Sequence, residues 1–332
     1  MSRLQESAQK GLGLLLMLAA LAFAAAKAPE RSLESLVTRW APPPSDFIEL
    51  DGQLLHLRDE GPRSDTLPLV LLHGTGASLH TWEGWAAALS RSRRVISLDL
   101  PGAGLSGADA QDDYRQAHQV ALLARLLDHL HLGRVLLAGQ GRGGELAWRL
   151  AQAQPARVAG LVLVASPLLA APPGIRPLAL QLADTPGLRQ LGRWVLPRRL
   201  VEDTLVSLYG DPARLQADTV DRTYELLLRD GNRVAMLHQQ DQTPAPATPA
   251  ELAAPRAPML ILWGEQDRLT PAAEAQALQR ALPGSELRLL PGLGHLPQQE
   301  DPAATLAALQ PWLARITREA AGPQESLTTT SR

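Results

Sequence analysis

Three groups of residues in this chain have types and spacings suited to chemistry. The first is Gly139-Gln140-Gly141-Arg142-Gly143-Gly144, which directly follows the apolar run Val135 to Ala138. A glycine turn between a strand and a helix aims backbone N–H groups at one point, where negative charge is favoured. The second is Asp267, just beyond the run Met259 to Trp263. The third is His295, in Pro291-Gly292-Leu293-Gly294-His295. A carboxylate that holds one imidazole nitrogen leaves the other free to take a proton. Arg142 puts a cation beside the glycine turn, an arrangement suited to an anion; the alternative is that it faces solvent or pairs with Glu145.

Composition removes other chemistries. The chain has 332 residues and no cysteine, which excludes thiolate nucleophiles, disulfides and zinc–thiolate sites together. Its net charge of −2 and the lack of a basic stripe with interleaved aromatics argue against nucleic acid as a partner. No motif calls for a metal or a cofactor, and none is expected.

The elements that must position these groups alternate. Phe47 to Leu50 and Leu54 to Arg58 flank Asp51-Gly52, a hairpin signal. Leu69 to Leu72, Arg94 to Leu98, Val135 to Ala138 and Leu161 to Val164 read as strands buried on both faces. Gln116 to Leu130 and Glu145 to Gln154 read as helices. Residues 169–250 are rich in Leu, Arg and Pro and show no clear strand. Strand–helix alternation resumes with Met259 to Trp263, Ala272 to Ala281, Leu287 to Leu290 and Thr305 to Ile316. The expected fold is α/β, a mostly parallel, doubly wound sheet with a helical insertion. The insertion would lie as a lid over the carboxyl ends of the strands, where such sheets bind ligands.

With these elements in order, the chain resembles the α/β-hydrolase fold family, of the lidded type that includes esterases, epoxide hydrolases and haloalkane dehalogenases. The likeness runs from about Asp46 to Ile316. It rests on His73-Gly74, Asp99-Leu100-Pro101-Gly102-Ala103-Gly104-Leu105-Ser106, the glycine turn, Leu262-Trp263-Gly264-Glu265-Gln266-Asp267, and the His295 loop. The resemblance implies Asp267 as the acid and His295 as the base. It implies an oxyanion hole from the backbone N–H groups of Thr75 and Arg142, and a pocket near His73, Gly74 and Trp82. The nucleophile elbow of the family is G-x-S-x-G, and here its centre is Gly141.

Glycine at that position relaxes about 1–3 kcal/mol of backbone strain. Loss of the serine in a triad enzyme costs about 10⁶ in turnover, equal to about 8 kcal/mol. The expectation is therefore a hydrolase-like protein with its covalent mechanism lost, binding a small apolar or anionic molecule under the lid. Two alternatives stand beside it. One is a working hydrolase that uses water activated by the His295–Asp267 pair, or an unrecognised serine among Ser78, Ser106 and Ser166. The other is a non-catalytic interaction protein.

The N-terminus adds a membrane expectation. Gly11 to Ala26 is apolar and uncharged, with Arg3 and Lys10 before it. It reads as a short anchor, or as a signal peptide cleaved near Ala24-Ala25-Ala26 or Ala26-Lys27-Ala28. Both readings put the globular part on the non-cytoplasmic side, anchored at the inner membrane or exported. The expected division is residues 1–10 as a cytoplasmic N-terminus, 11–28 as anchor or signal, and 29–45 as a Pro-rich extended spacer. Residues 46–168 and 251–317 form the core, 169–250 the lid and 318–332 a disordered tail.

Overall fold

The computed structural model describes residues 11–14, 16, 17, 21, 24, 26–170, 174–185, 187–252 and 256–321. Eight strands form one sheet: β1 (Ser45–Leu50), β2 (Gln53–Glu60), β3 (Leu69–Leu72), β4 (Val95–Leu98), β5 (Val135–Gln140), β6 (Val158–Val164), β7 (Met259–Gly264) and β8 (Glu286–Leu290). Their spatial order is β1-β2-β4-β3-β5-β6-β7-β8. The β1–β2 and β2–β4 pairs are antiparallel, and every other pair is parallel. The β1–β2 hairpin turns on Asp51 and Gly52, with φ of 54° and 80°, the left-handed pair that a two-residue hairpin turn requires.

The wholly apolar strands are buried on both faces, as a parallel sheet demands. Alternate residues of each strand feed two cores. Val70, Leu72, Val135 and Leu137 face the helices Gln116–His129, Arg142–Ala153 and Ala272–Ala281. Leu69, Leu71, Leu136 and Ala138 face Trp82, Trp85 and the helix Pro302–Ala321. That last helix is longer than the expected Thr305 to Ile316 and continues through Pro311. The interval between β6 and β7 contains six α-helices, from Leu178–Asp184 to Pro249–Leu252, a 3₁₀ turn at Pro212–Arg214, and no strand among the described residues.

Residues 29–45 differ from the extended spacer expected of them. They contain the helix Leu33–Trp40. Leu33, Leu36 and Trp40 recur at helical spacing and pack on Leu105 and Leu226. Trp40 Nε1 donates to Glu225 at 2.7 Å. The proline run after Ala41 obscured this short amphipathic face. Leu12, Leu14, Leu16, Met17 and Leu21 are exposed. No helix is long and apolar enough to cross a membrane among the described residues; part of the 11–28 run, all of 1–10 and most of 318–332 lie outside them.

Candidate active site

The glycine turn leaves the carboxyl end of β5 and enters the helix Arg142–Ala153. Gly141 has φ 52° and ψ −121°, a conformation in which an L side chain is strained. Its neighbours are glycines for a different reason. A Cβ at Gly139 would come within 2.3 Å of the Gly143 backbone, and one at Gly143 within 2.3 Å of the Leu72 carbonyl oxygen. A Cβ at Gly144 would come within 2.0 Å of Ser166 Oγ. These three let strand and helix close-pack. A Cβ at Gly141 would meet only Gly74 Cα, at 3.9 Å. Space for a side chain therefore exists at the centre of the turn, and only backbone conformation favours glycine there.

The structure brings Asp267 and His295 together beside this turn. His295 Nδ1 lies 2.8 Å from Asp267 Oδ2. The carboxylate only accepts, so the network assigns the proton to Nδ1. Asp267 is held by its own loop: Oδ1 accepts from the Leu269 and Thr270 N–H groups at 2.9 Å, and the Thr270 hydroxyl donates to Oδ2 at 2.6 Å. On the other side of the ring, the Gln140 amide nitrogen is 3.1 Å from His295 Nε2. The His295 side chain is 11% exposed and that of Asp267 fully buried.

Sequence reasoning missed four contributors. Thr270 and Gln140 are two. Glu274 is the third: burial, then repulsion from Asp267, push its carboxyl up to about 7, while His295 pulls it the other way. Its position in the first turn of the helix after the acid was the available signal. Glu300 is the fourth. Its buried carboxylate accepts from the N–H groups of Gly210, Asp211 and Gly294 at 3.0, 2.8 and 2.8 Å. The His295 N–H donates to the Leu208 carbonyl at 2.7 Å, so the histidine loop is fixed to the inserted helices.

The backbone N–H groups of Thr75 and Arg142 have no partner among the described residues. Thr75 is exposed, and Arg142 opens its helix beside Gly141. The Arg142 guanidinium turns away and donates to the Tyr114 carbonyl at 2.6 Å. It does not offer its charge to the turn, and the anion reading of this side chain gives way to a protein partner. Gly74 abuts the turn. His73 is structural: Nδ1 donates to the Gly74 carbonyl at 2.7 Å, and Nε2 accepts from the Leu100 N–H at 2.9 Å. Trp82 is wholly buried against Trp85, with ring centroids 5.0 Å apart. It belongs to the core and does not line a pocket.

The three nearby serines are engaged elsewhere. Ser106 Oγ donates to the Asp99 carbonyl and accepts from the His56 N–H. Ser166 Oγ donates to the Val164 carbonyl, and Ser78 Oγ pairs with His80. None of these hydroxyls bonds to His295. No cluster of three metal-ligating side chains occurs among the described residues. A shallow cleft of about 20 Å³ adjoins the Thr75 loop. Gly76, Ser78 and Gly102 line it from the core, and Leu226, Leu227 and Met236, with Thr223, Asn232 and Gln239, line it from the inserted region. Neither Gly141 nor His295 lines it.

This arrangement matches known proteins. The family model described as alpha/beta hydrolase fold matches residues 68–302. The chain is 33% identical over 264 residues to the pimeloyl-[acyl-carrier protein] methyl ester esterase of Nitrosomonas europaea, covering 73% of this chain and 93% of that one. It is 32% identical over 279 residues to the dihydrolipoyllysine-residue acetyltransferase component of an acetoin cleaving system from Pseudomonas putida, covering 78% of this chain and 66% of that one. Among solved structures, a bacterial membrane phospholipase A superposes with a TM-score of 0.71 at 24% identity, covering 94% of this chain and 99% of that one. The last likeness is one of fold.

Proposed function

The chain belongs to the α/β-hydrolase fold family, and within it we propose a hydrolase scaffold impaired in acyl-enzyme chemistry that binds a small, largely apolar molecule beneath its inserted helices. One observation carries this reading: the hydrogen-bonded His295–Asp267 pair reaches the glycine turn through Gln140, and the next residue, 141, is glycine. An imidazole in that setting can accept a proton, yet the turn offers no hydroxyl to give one. The N–H groups of Thr75 and Arg142 belong to the backbone and do not depend on the missing side chain. The Nitrosomonas relative is named a methyl ester esterase, which supports an ester-type ancestry.

The test is hydrolysis of short p-nitrophenyl esters by the native chain, Gly141→Ser and Gly141→Ser/His295→Ala. The reading expects turnover only in the serine variant. Native turnover that disappears in His295→Ala would replace it with a water-activating hydrolase.

We further propose that the 11–28 run attaches the protein to a membrane, with the globular part outside the cytoplasm. Gly11 to Ala26 is apolar and uncharged, and the chain then reaches Ala28, whose N–H donates to the carbonyl of exposed Trp194 at 3.0 Å. Membrane fractionation with an alkaline wash tests attachment, and N-terminal sequencing of the mature protein tests cleavage.

A further inference from the structure

We infer that Gln140 caps the base: its side-chain amide takes the hydrogen bond to His295 Nε2 that a hydroxyl at position 141 would make. The inference rests on the impaired-hydrolase reading and goes inside it. Gln140 is 2% exposed, so its amide must find partners within the protein. Its nitrogen lies 3.1 Å from His295 Nε2 and 3.3 Å from the His295 carbonyl oxygen. The carbonyl only accepts, which fixes the amide orientation and makes the nitrogen the donor. With the proton of the ring on Nδ1, facing Asp267, the lone pair of Nε2 is the acceptor for the second N–H. One side chain thus clips both the ring and the backbone of the same histidine.

Gly74 makes room for this pose. A Cβ there would sit 2.0 Å from Gln140 Oε1. The amide therefore lies between the loop after β3 and the imidazole, on the path by which a water or hydroxyl would reach Nε2. The empty position at 141 does not leave the base exposed. The neighbouring side chain shields it.

The tests use the full chain. In protein labelled with [15N]histidine, Gln140→Met should move the Nε2 resonance of His295 toward that of an unbonded acceptor nitrogen and leave the protonated Nδ1 signal in place. Carbethoxylation of His295 by diethyl pyrocarbonate, read by peptide mass spectrometry, should be about 10-fold faster in Gln140→Met. On p-nitrophenyl butyrate, Gly141→Ser/Gln140→Met should turn over about 10-fold faster than Gly141→Ser, the scale of one hydrogen bond. Gly74→Ala, which displaces the amide from the opposite side, should reproduce the resonance shift and the faster labelling even if Gln140→Met does not fold. An unchanged Nε2 signal and unchanged labelling in either folded variant overturn the inference. Ester turnover by the native chain bears only on the proposed function, because it leaves these native signals where they are.

Discussion

Two buried His–Asp pairs in this molecule have nearly the same contact distance. His295 Nδ1 meets Asp267 Oδ2 at 2.8 Å, and His56 Nδ1 meets Asp99 Oδ2 at 2.7 Å. Their surroundings separate them. Asp267 spends its other bonds within its own loop, on residues two and three positions away. Asp99 ties distant segments together, accepting from the Leu79 and Leu105 N–H groups at 2.7 Å each. Both members of the His56–Asp99 pair are fully buried, and His56 Nε2 has no partner among the described residues. His295 Nε2 faces the glycine turn through Gln140. Contact geometry does not make a base. What the far nitrogen of the ring looks onto decides whether a pair can do chemistry or only hold the chain together.

The contrast can be broken most sharply by rate. Gly141→Ser should raise ester hydrolysis at least about 10³-fold over the native chain, a fraction of the roughly 10⁶ that a triad serine supplies. His295→Ala should abolish that gain, and substitution of His56 in a folded protein should leave it.

Stability separates the pairs next. Asp99→Ala removes one partner from a buried pair and should cost about 3–5 kcal/mol in denaturant unfolding. Asp267→Ala should cost about 1–3 kcal/mol, because its loop can relax toward water. Equal losses would erase the distinction.

Acid sharpens it further. Burial opposes ionisation of Asp99, but His56, with its hydrogen bond, and then His73 and His80 outweigh it and hold the carboxyl well below its ordinary value. This contribution is present above about pH 3.9 and is lost as pH falls through the lower folded value. Burial also pushes nearby His80 down to about 4. The unfolded chain takes up that proton near pH 6.5 while the folded chain refuses it, so stability falls as pH drops from about 6.5 to 4. Urea midpoints across this range should show the slope, and His80→Gln should flatten it.

The smallest effect belongs to Glu274. Its carboxyl titrates near 7 in the folded chain, so ionisation is a penalty that grows from about pH 4.3 and is complete above 7. Glu274→Gln should raise Tm by about 1–3 °C at pH 8 and leave it unchanged at pH 4.

The sheet was legible because its strands are continuous apolar runs with glycines or chemistry at their ends. Leu69 to Leu72 and Val135 to Ala138 needed no other signal. Asp267 and His295 lie three and five residues past the ends of β7 and β8, and it was the family-like motifs around them that made them readable. The helix Leu33–Trp40 was hidden because its partner, Glu225, lies 185 residues away from Trp40. Gln140 and His295 are separated by 155 residues, and His56 and Asp99 by 43. No local pattern reports that such polar side chains meet; tertiary folding alone aligns them. Trp82 was placed at a pocket because an aromatic near a loop fits either role, and packing decided for the core.

Glu300 has a mechanical consequence. Its carboxylate rivets Gly210 and Asp211 to the histidine loop at Gly294, and Leu208 is bonded to His295 itself. The inserted region is thus bolted down near its middle as well as joined at both ends. It cannot swing as one flap without dragging the imidazole off Asp267. The stretch after the rivet is tied to the core as well, where Asn232 donates to the Gly104 carbonyl and Gln239 to that of Pro101.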